Sequence, residues 1–193
     1  FSSYYRAFYA AESKHLDAWL SDRGISSNSM HLSEISRSCN AIKAFRVTQP
    51  IPLMFSILKA YEKLEETNRS IKKLINIFRS IETHHFINNK ICNRIGNEVE
   101  KLYASYSDKF YNGDDFDSTW EEFEKDLIQK TAERDEFTSQ FGYLSYQNEG
   151  DKVTIRYVFD LLANKGMKEG QRVPILNYDH LFGRIESPYN IEH

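Results

Sequence analysis

The side chains best suited to hydrolytic chemistry stand at the end of the sequence. Glu192 and His193 are adjacent and follow the short stretch Tyr189-Asn190-Ile191, which reads as a strand. An imidazole titrates near neutral pH and can take a proton from water, while a carboxylate beside it can hold a divalent cation. A strand tip suits such a pair, because rigid backbone fixes both side chains at the mouth of a site. A two-residue pattern also arises by chance on any polar surface, so taken alone it is more often a solvated pair than half of a catalytic centre.

Other candidates are weaker. Asp179-His180 has a glycine, Gly183, three residues past the histidine and no clean strand before it, so it reads as a loop pair. His84-His85 invites a metal, but adjacent helical residues point about 100° apart and cannot easily share one ion. A half-exposed helical pair is the plainer expectation. The segment from Asn112 to Asp117, NGDDFD, is acidic, yet no glycine falls at the sixth position of a calcium-binding loop frame. It reads as a solvated loop leading into a helix cap. Lys72, Lys73, Arg79, Lys90 and Arg94 form the densest basic stretch, and such charges more often make the wet face of a helix than a phosphate-contacting stripe. No P-loop, GxGxxG or G-x-S-x-G pattern occurs.

The elements that must position these residues are mostly helical. Residues 4–20 set Tyr5, Phe8, Tyr9, Leu16, Trp19 and Leu20 on one broad face, and a second helix spans roughly 30–47. The prolines of QPIPLMF open a third, with Leu53, Ile57, Tyr61 and Leu64 inward. The cleanest amphipathic segment follows, with Ile71, Leu74, Ile75, Phe78 and Ile81 at helical spacing. A fifth helix carries Val99, Leu102, Tyr103, Tyr106 and Phe110. Ser118 and Glu121 have capping-box spacing for a sixth, expected to bury Trp120, Phe123, Leu127 and Ile128. The last helix, DKVTIRYVFDLLANKG, is expected to turn Ile155, Val158, Phe159 and Leu162 inward and to stop at Gly166.

After Gly166 the helical stripe gives way to glycines, prolines and short β-branched pieces. The expectation is an all-α bundle of about six to seven helices over residues 1–166, with a short strand-and-loop tail over 167–193. A net charge of −3 means that nothing global draws the chain to polyanions, and any basic surface must be local. Two cysteines, Cys39 and Cys92, without CxxC spacing suggest neither a disulfide framework nor a zinc site, and point to a reducing cytoplasm. No apolar run is long enough to cross a bilayer. The first residue is Phe1 and the last is the histidine of the acid–His pair, so both ends are expected to be cuts from a longer enzyme.

The order of these features resembles the middle and C-terminal part of the GmrSD-type restriction endonuclease family. Aromatic helices lead to FGYLSYQNEGDKVTIRYVFDLLANKG, then to a loop-rich passage, then to YNIEH. Ile155-Arg156-Tyr157-Val158-Phe159 matches a helical element at the family's domain junction, and Tyr189 to His193 matches the first strand of its HNH-type nuclease. The resemblance implies that Glu192 takes the metal-site acid position and His193 that of the general base. It also implies that residues 167–193 are the truncated start of a nuclease domain. The following proline and the nuclease's later Asn and His have no counterpart in these 193 residues, nor do the motifs of the family's N-terminal ParB-like NTP-binding domain.

The expected function is therefore a helical connector from a bacterial modification-dependent restriction-type DNA endonuclease acting in phage defence, itself catalytically incomplete. No cofactor is expected in this fragment, while the resemblance implies a divalent, Mg-like metal and an NTP for the parent. Partners would be the flanking NTP-binding and nuclease domains, with DNA as a further candidate and no membrane. The alternative is a stand-alone helical protein-interaction module without enzymatic activity.

Overall fold

The structure is a computed structural model, and it describes residues 13–94 and 97–166. Several helices begin where a short polar side chain accepts from a first-turn amide, or where a proline, which has no N–H to leave unpaired, stands in the first turn. The first, α1, spans Ser13–Asp22. Asn28 accepts a bond from the Met30 amide to open α2, Ser29–Ala44. Pro50 precedes α3, Ile51–Lys63, with Pro52 in its first turn. Ser70 accepts from Lys73 to start α4, Ile71–His85, which widens into a six-residue π-helical turn, Phe86–Ile91. Then come α5, Asn97–Asn112, α6, Phe116–Gln129, α7, Arg134–Phe141, and α8, Glu149–Ala163. Gly113 and Gly166 follow α5 and α8 at φ +87° and +83°, the left-handed conformation that a helix end favours and that glycine adopts without strain.

The molecule is all-α, and no strand occurs among the described residues. Helix α3 packs on α5, α2 on α4, α1 on α2, and α6 on both α4 and α5. Leu53, Ile57, Leu74, Ile75, Phe78 and Ile81 are sealed from solvent in the centre. Beside them runs an aromatic seam in which Phe123 meets Tyr106 at 5.2 Å and Trp120 at 5.8 Å, while Phe110 meets Phe116 at 5.4 Å. Each such ring contributes about 2–3 kcal/mol by leaving water. This seam is what holds α5 and α6 as one layer.

Four expectations are corrected. The cap of α6 is Asp115, whose carboxylate accepts from the Ser118 amide at 2.9 Å; Ser118 lies inside the first turn, so the capping-box reading of Ser118 and Glu121 is displaced by three residues. Ile128 is 67% exposed rather than buried, because the inward side of α6 is already filled by Trp120, Phe123 and Leu127. Phe159 and Leu162 of α8 face outward, and Tyr157, Asp160 and Thr154 are the residues turned inward. The fourth concerns His84 and His85, which are buried. Helix α7 has no counterpart among the expected helices: only Phe137 and Phe141 mark its apolar side. The segments expected at 4–12 and the strand-and-loop tail lie outside the described residues. No described helix is long and apolar enough to cross a membrane.

Candidate functional site

Glu192 and His193, the expected metal-site acid and general base, lie outside the described residues, as does Asp179-His180. Among the described residues no group of three or more His, Cys, Asp or Glu side chains converges as a metal site would require. Cys39 and Cys92 are free thiols. Cys39 is sealed in the core, where burial pushes its thiol up to about 12.

The basic stretch does not form one open stripe. Lys73 pairs with Asp117 at 2.7 Å, Arg79 with Glu34 at 2.6 Å, and Arg94 with Glu136 through Nε at 2.9 Å. Lys90 is half-buried, and burial, reinforced by Arg46, lowers its affinity for a proton. Lys72 alone of the five is exposed without an ion-pair partner among the described residues. Carboxylates from other helices thus consume most of the charge that looked available in the linear sequence.

His84 and His85 turn out to be structural. The Thr131 hydroxyl gives its proton to the Leu127 carbonyl, so His84 Nδ1 must donate to Thr131 Oγ1, 2.8 Å away. His84 Nε2 then accepts from Asn88. Asn89 gives its amide protons to the Arg94 carbonyl, which makes its oxygen the acceptor for His85 Nδ1 at 2.6 Å. His85 Nε2 accepts from the Tyr103 hydroxyl at 2.8 Å. Each ring therefore uses one nitrogen as donor and the other as acceptor, the pattern of neutral imidazole. Burial, then the proximity of His85 and of the Arg94 guanidinium, bring His84 down to about 3, and burial brings His85 down to about 4. The π turn serves this arrangement: it carries Asn88 to where its amide bonds the Lys130 carbonyl and its oxygen takes the Ala132 amide, both at 2.8 Å. A metal-binding pair is excluded by these occupied lone pairs and by rings set at 88° to each other.

The inward side of α8 holds a buried ionic clamp. Arg37 of α2 donates to one oxygen of Asp160 through Nε and Nη2, at 3.1 and 2.6 Å, and its Nη1 lies 4.0 Å from Glu82 of α4. Glu82 accepts from the Tyr157 hydroxyl at 2.6 Å and from the Ser38 hydroxyl at 2.7 Å. Asp160 also takes a bond from Asn164. Burial works against the charge on Arg37, but Glu82 and Asp160 outweigh it and hold the guanidinium protonated. Burial and then Glu82 raise the Tyr157 phenol well above its ordinary range, so it remains a donor. The Tyr157 ring packs at 4.9 Å from both Phe45 and Phe86. Sequence reading missed Arg37, Glu82 and Asp160. The available signal was Asp160 standing inside the apolar run Tyr157–Leu162, where a charge has to find a partner.

Next to the clamp, a cleft of about 610 Å³ opens between α4, the π turn, α7 and α8. Phe86, Phe137, Tyr157 and Leu161 supply apolar walls, and Arg37, Arg79 and Arg134 supply guanidinium groups.

Compared with known proteins, the chain matches no family model, no curated protein and no solved structure.

Proposed function

We propose that this chain is the helical connector of a restriction-type DNA endonuclease, with residues 167–193 as the beginning of its nuclease domain and no complete active site of its own. In the parent enzyme Glu192 would hold the divalent ion and His193 would serve as general base, with an NTP bound by a preceding domain. The observation that carries the proposal is the clamp on α8. The helix leading in sequence to Glu192 and His193 is locked to α2 and α4 by two buried carboxylates, an arginine and a tyrosine. Opening such a cluster leaves an uncompensated buried charge and costs about 3–5 kcal/mol. A helix held that way moves with the body as one unit, which is what relaying a displacement between two flanking domains requires.

The outward face of α8 adds support. Phe159 and Leu162 are 43% and 57% exposed, on the side away from the clamp, as expected where a neighbouring domain of a longer protein packs.

The test uses the longer parent protein with divalent metal, NTP and DNA carrying modified bases. His193→Ala should abolish cleavage and leave NTP binding intact, and Asp160→Ala should remove NTP stimulation while metal-dependent cleavage persists. Cleavage by His193→Ala at near the unmodified rate would refute the nuclease assignment, and full NTP stimulation in Asp160→Ala would refute the connector role. The second reading, a stand-alone interaction module, draws on the same exposed face of α8. It would be favoured by a parent gene that stops directly after His193.

A further inference from the structure

The cleft beside the clamp has a composition that the connector role does not use. Its walls are aromatic and close-set: Phe86 lies 4.9 Å from Tyr157 and 6.1 Å from Phe137. Its polar lining is dominated by cations, and their availability differs. Arg37 is spent on Asp160 and Glu82. Arg79 commits Nη2 to Glu34, while its Nε is buried with no hydrogen-bond partner. Arg134 has no ion pair among the described residues. The carboxylate inside the cleft, Glu82, is occupied by the hydroxyls of Tyr157 and Ser38. Elsewhere on α7 and at its start, Glu136 is engaged by Arg94, and Glu133 and Asp135 are exposed next to Arg134 in sequence.

We propose that this cleft binds a small amphipathic anion: a flat or aliphatic body lying against Phe86, Phe137, Tyr157 and Leu161, with a carboxylate or phosphate group reaching Arg134 and Arg79. The volume is that of a small-molecule site, in the range of about 300–1,000 Å³. The chemistry of the lining selects the charge. A cation would meet Arg134, which has no ion pair among the described residues, a metal would find one carboxylate already bonded, and a neutral apolar guest would leave the guanidinium donors of Arg134 and Arg79 unused. Guanidinium groups recognise the two oxygens of a carboxylate or phosphate through paired N–H donors, which gives the head its fixed place. The site is independent of the nuclease assignment and stands or falls by itself.

The test uses the 193-residue chain and 8-anilinonaphthalene-1-sulfonate, an aromatic anion whose emission rises on binding. The expected result is saturable binding to one site per chain, displaced by phenylacetate or by phenyl phosphate; the stronger competitor identifies the preferred head group. Arg134 and Thr83 are both exposed, so Arg134→Glu and Thr83→Trp should retain the cooperative thermal transition. Arg134→Glu should weaken the dye about tenfold, the effect of losing one charge-assisted contact. Thr83→Trp, which fills the cleft without touching its charge, should block the dye. The neutral analogue N-phenyl-1-naphthylamine should not distinguish Arg134→Glu from the unmodified chain. Dye binding unchanged by either variant would overturn the site. Displacement only by an apolar peptide, and by neither small anion, would instead assign the cleft to a protein partner and overturn the anion.

Discussion

Acid should unfold this protein through two histidines, and the size of the effect can be worked from their surroundings. Folded His84 and His85 are held neutral, with their proton affinities pushed down to about 3 and about 4, whereas in the unfolded chain each titrates near 6.5. Below that value the unfolded chain takes up protons that the folded chain refuses, so stability present at neutral pH is lost as pH falls through 6.5 toward 4. Integrating the binding of one proton from pH 7 to pH 5 gives about 2 kcal/mol per histidine, or close to 4 kcal/mol for both. Urea unfolding at the two pH values, compared with a His84→Gln/His85→Gln double variant, isolates this contribution. The glutamines cost stability through altered hydrogen bonds with Thr131, Asn88, Asn89 and Tyr103, but that cost is the same at both pH values and cancels in the difference. At a slope of about 2.5 kcal/mol per M, the unmodified chain's midpoint should fall by about 1.5 M more than the variant's. Equal shifts in the two proteins would refute the claim that these rings are neutral, buried and hydrogen-bonded at both nitrogens.

Further outcomes follow from the same structure. Asp160→Ala, which removes the acceptor of two Arg37 hydrogen bonds and leaves that guanidinium only its longer contact with Glu82, should cost about 3 kcal/mol by chemical denaturation, whereas Phe159→Ser on the exposed side of α8 should stay within about 0.5 kcal/mol; the opposite order would mean that α8 is turned the other way. Asp115→Ala should cost about 1 kcal/mol in thermal or urea unfolding and Glu121→Ala much less, since Asp115 is the acceptor that opens α6. With a thiol-specific reagent at pH 8, half-exposed Cys92 should react in the folded chain and Cys39 only on unfolding, a difference of orders of magnitude in rate readable by mass spectrometry.

Much of the helical framework was legible in the residues alone. In α4 and α5 the apolar side chains recur at a spacing that only a helix can bring to one face, and Leu74, Ile75, Phe78, Tyr103, Tyr106 and Phe110 are buried as that spacing requires. Pro52 and Gly166 mark a start and a stop because their constraints act on their own backbone, with no distant partner needed. Where the local signal was thin it failed. In α7 two phenylalanines one turn apart gave no stripe, and the acid cluster before α6 offered several residues able to cap.

The tertiary structure alone decided which side of α8 faces inward. By hydropathy, Phe159 and Leu162 should be buried and Asp160 exposed; the reverse holds because Arg37, 123 residues earlier in the chain, supplies the counter-charge that makes burying Asp160 feasible. His84 and His85 became a buried neutral pair for the same kind of reason, since Thr131 and Tyr103 come from distant parts of the chain. The arginines of the cleft could not be sorted into spent and available until the carboxylates of other helices were in place. Periodicity is a property of one helix, and a sequence states it directly. A polar or charged group's place inside or outside depends on a partner that only folding brings within about 3 Å.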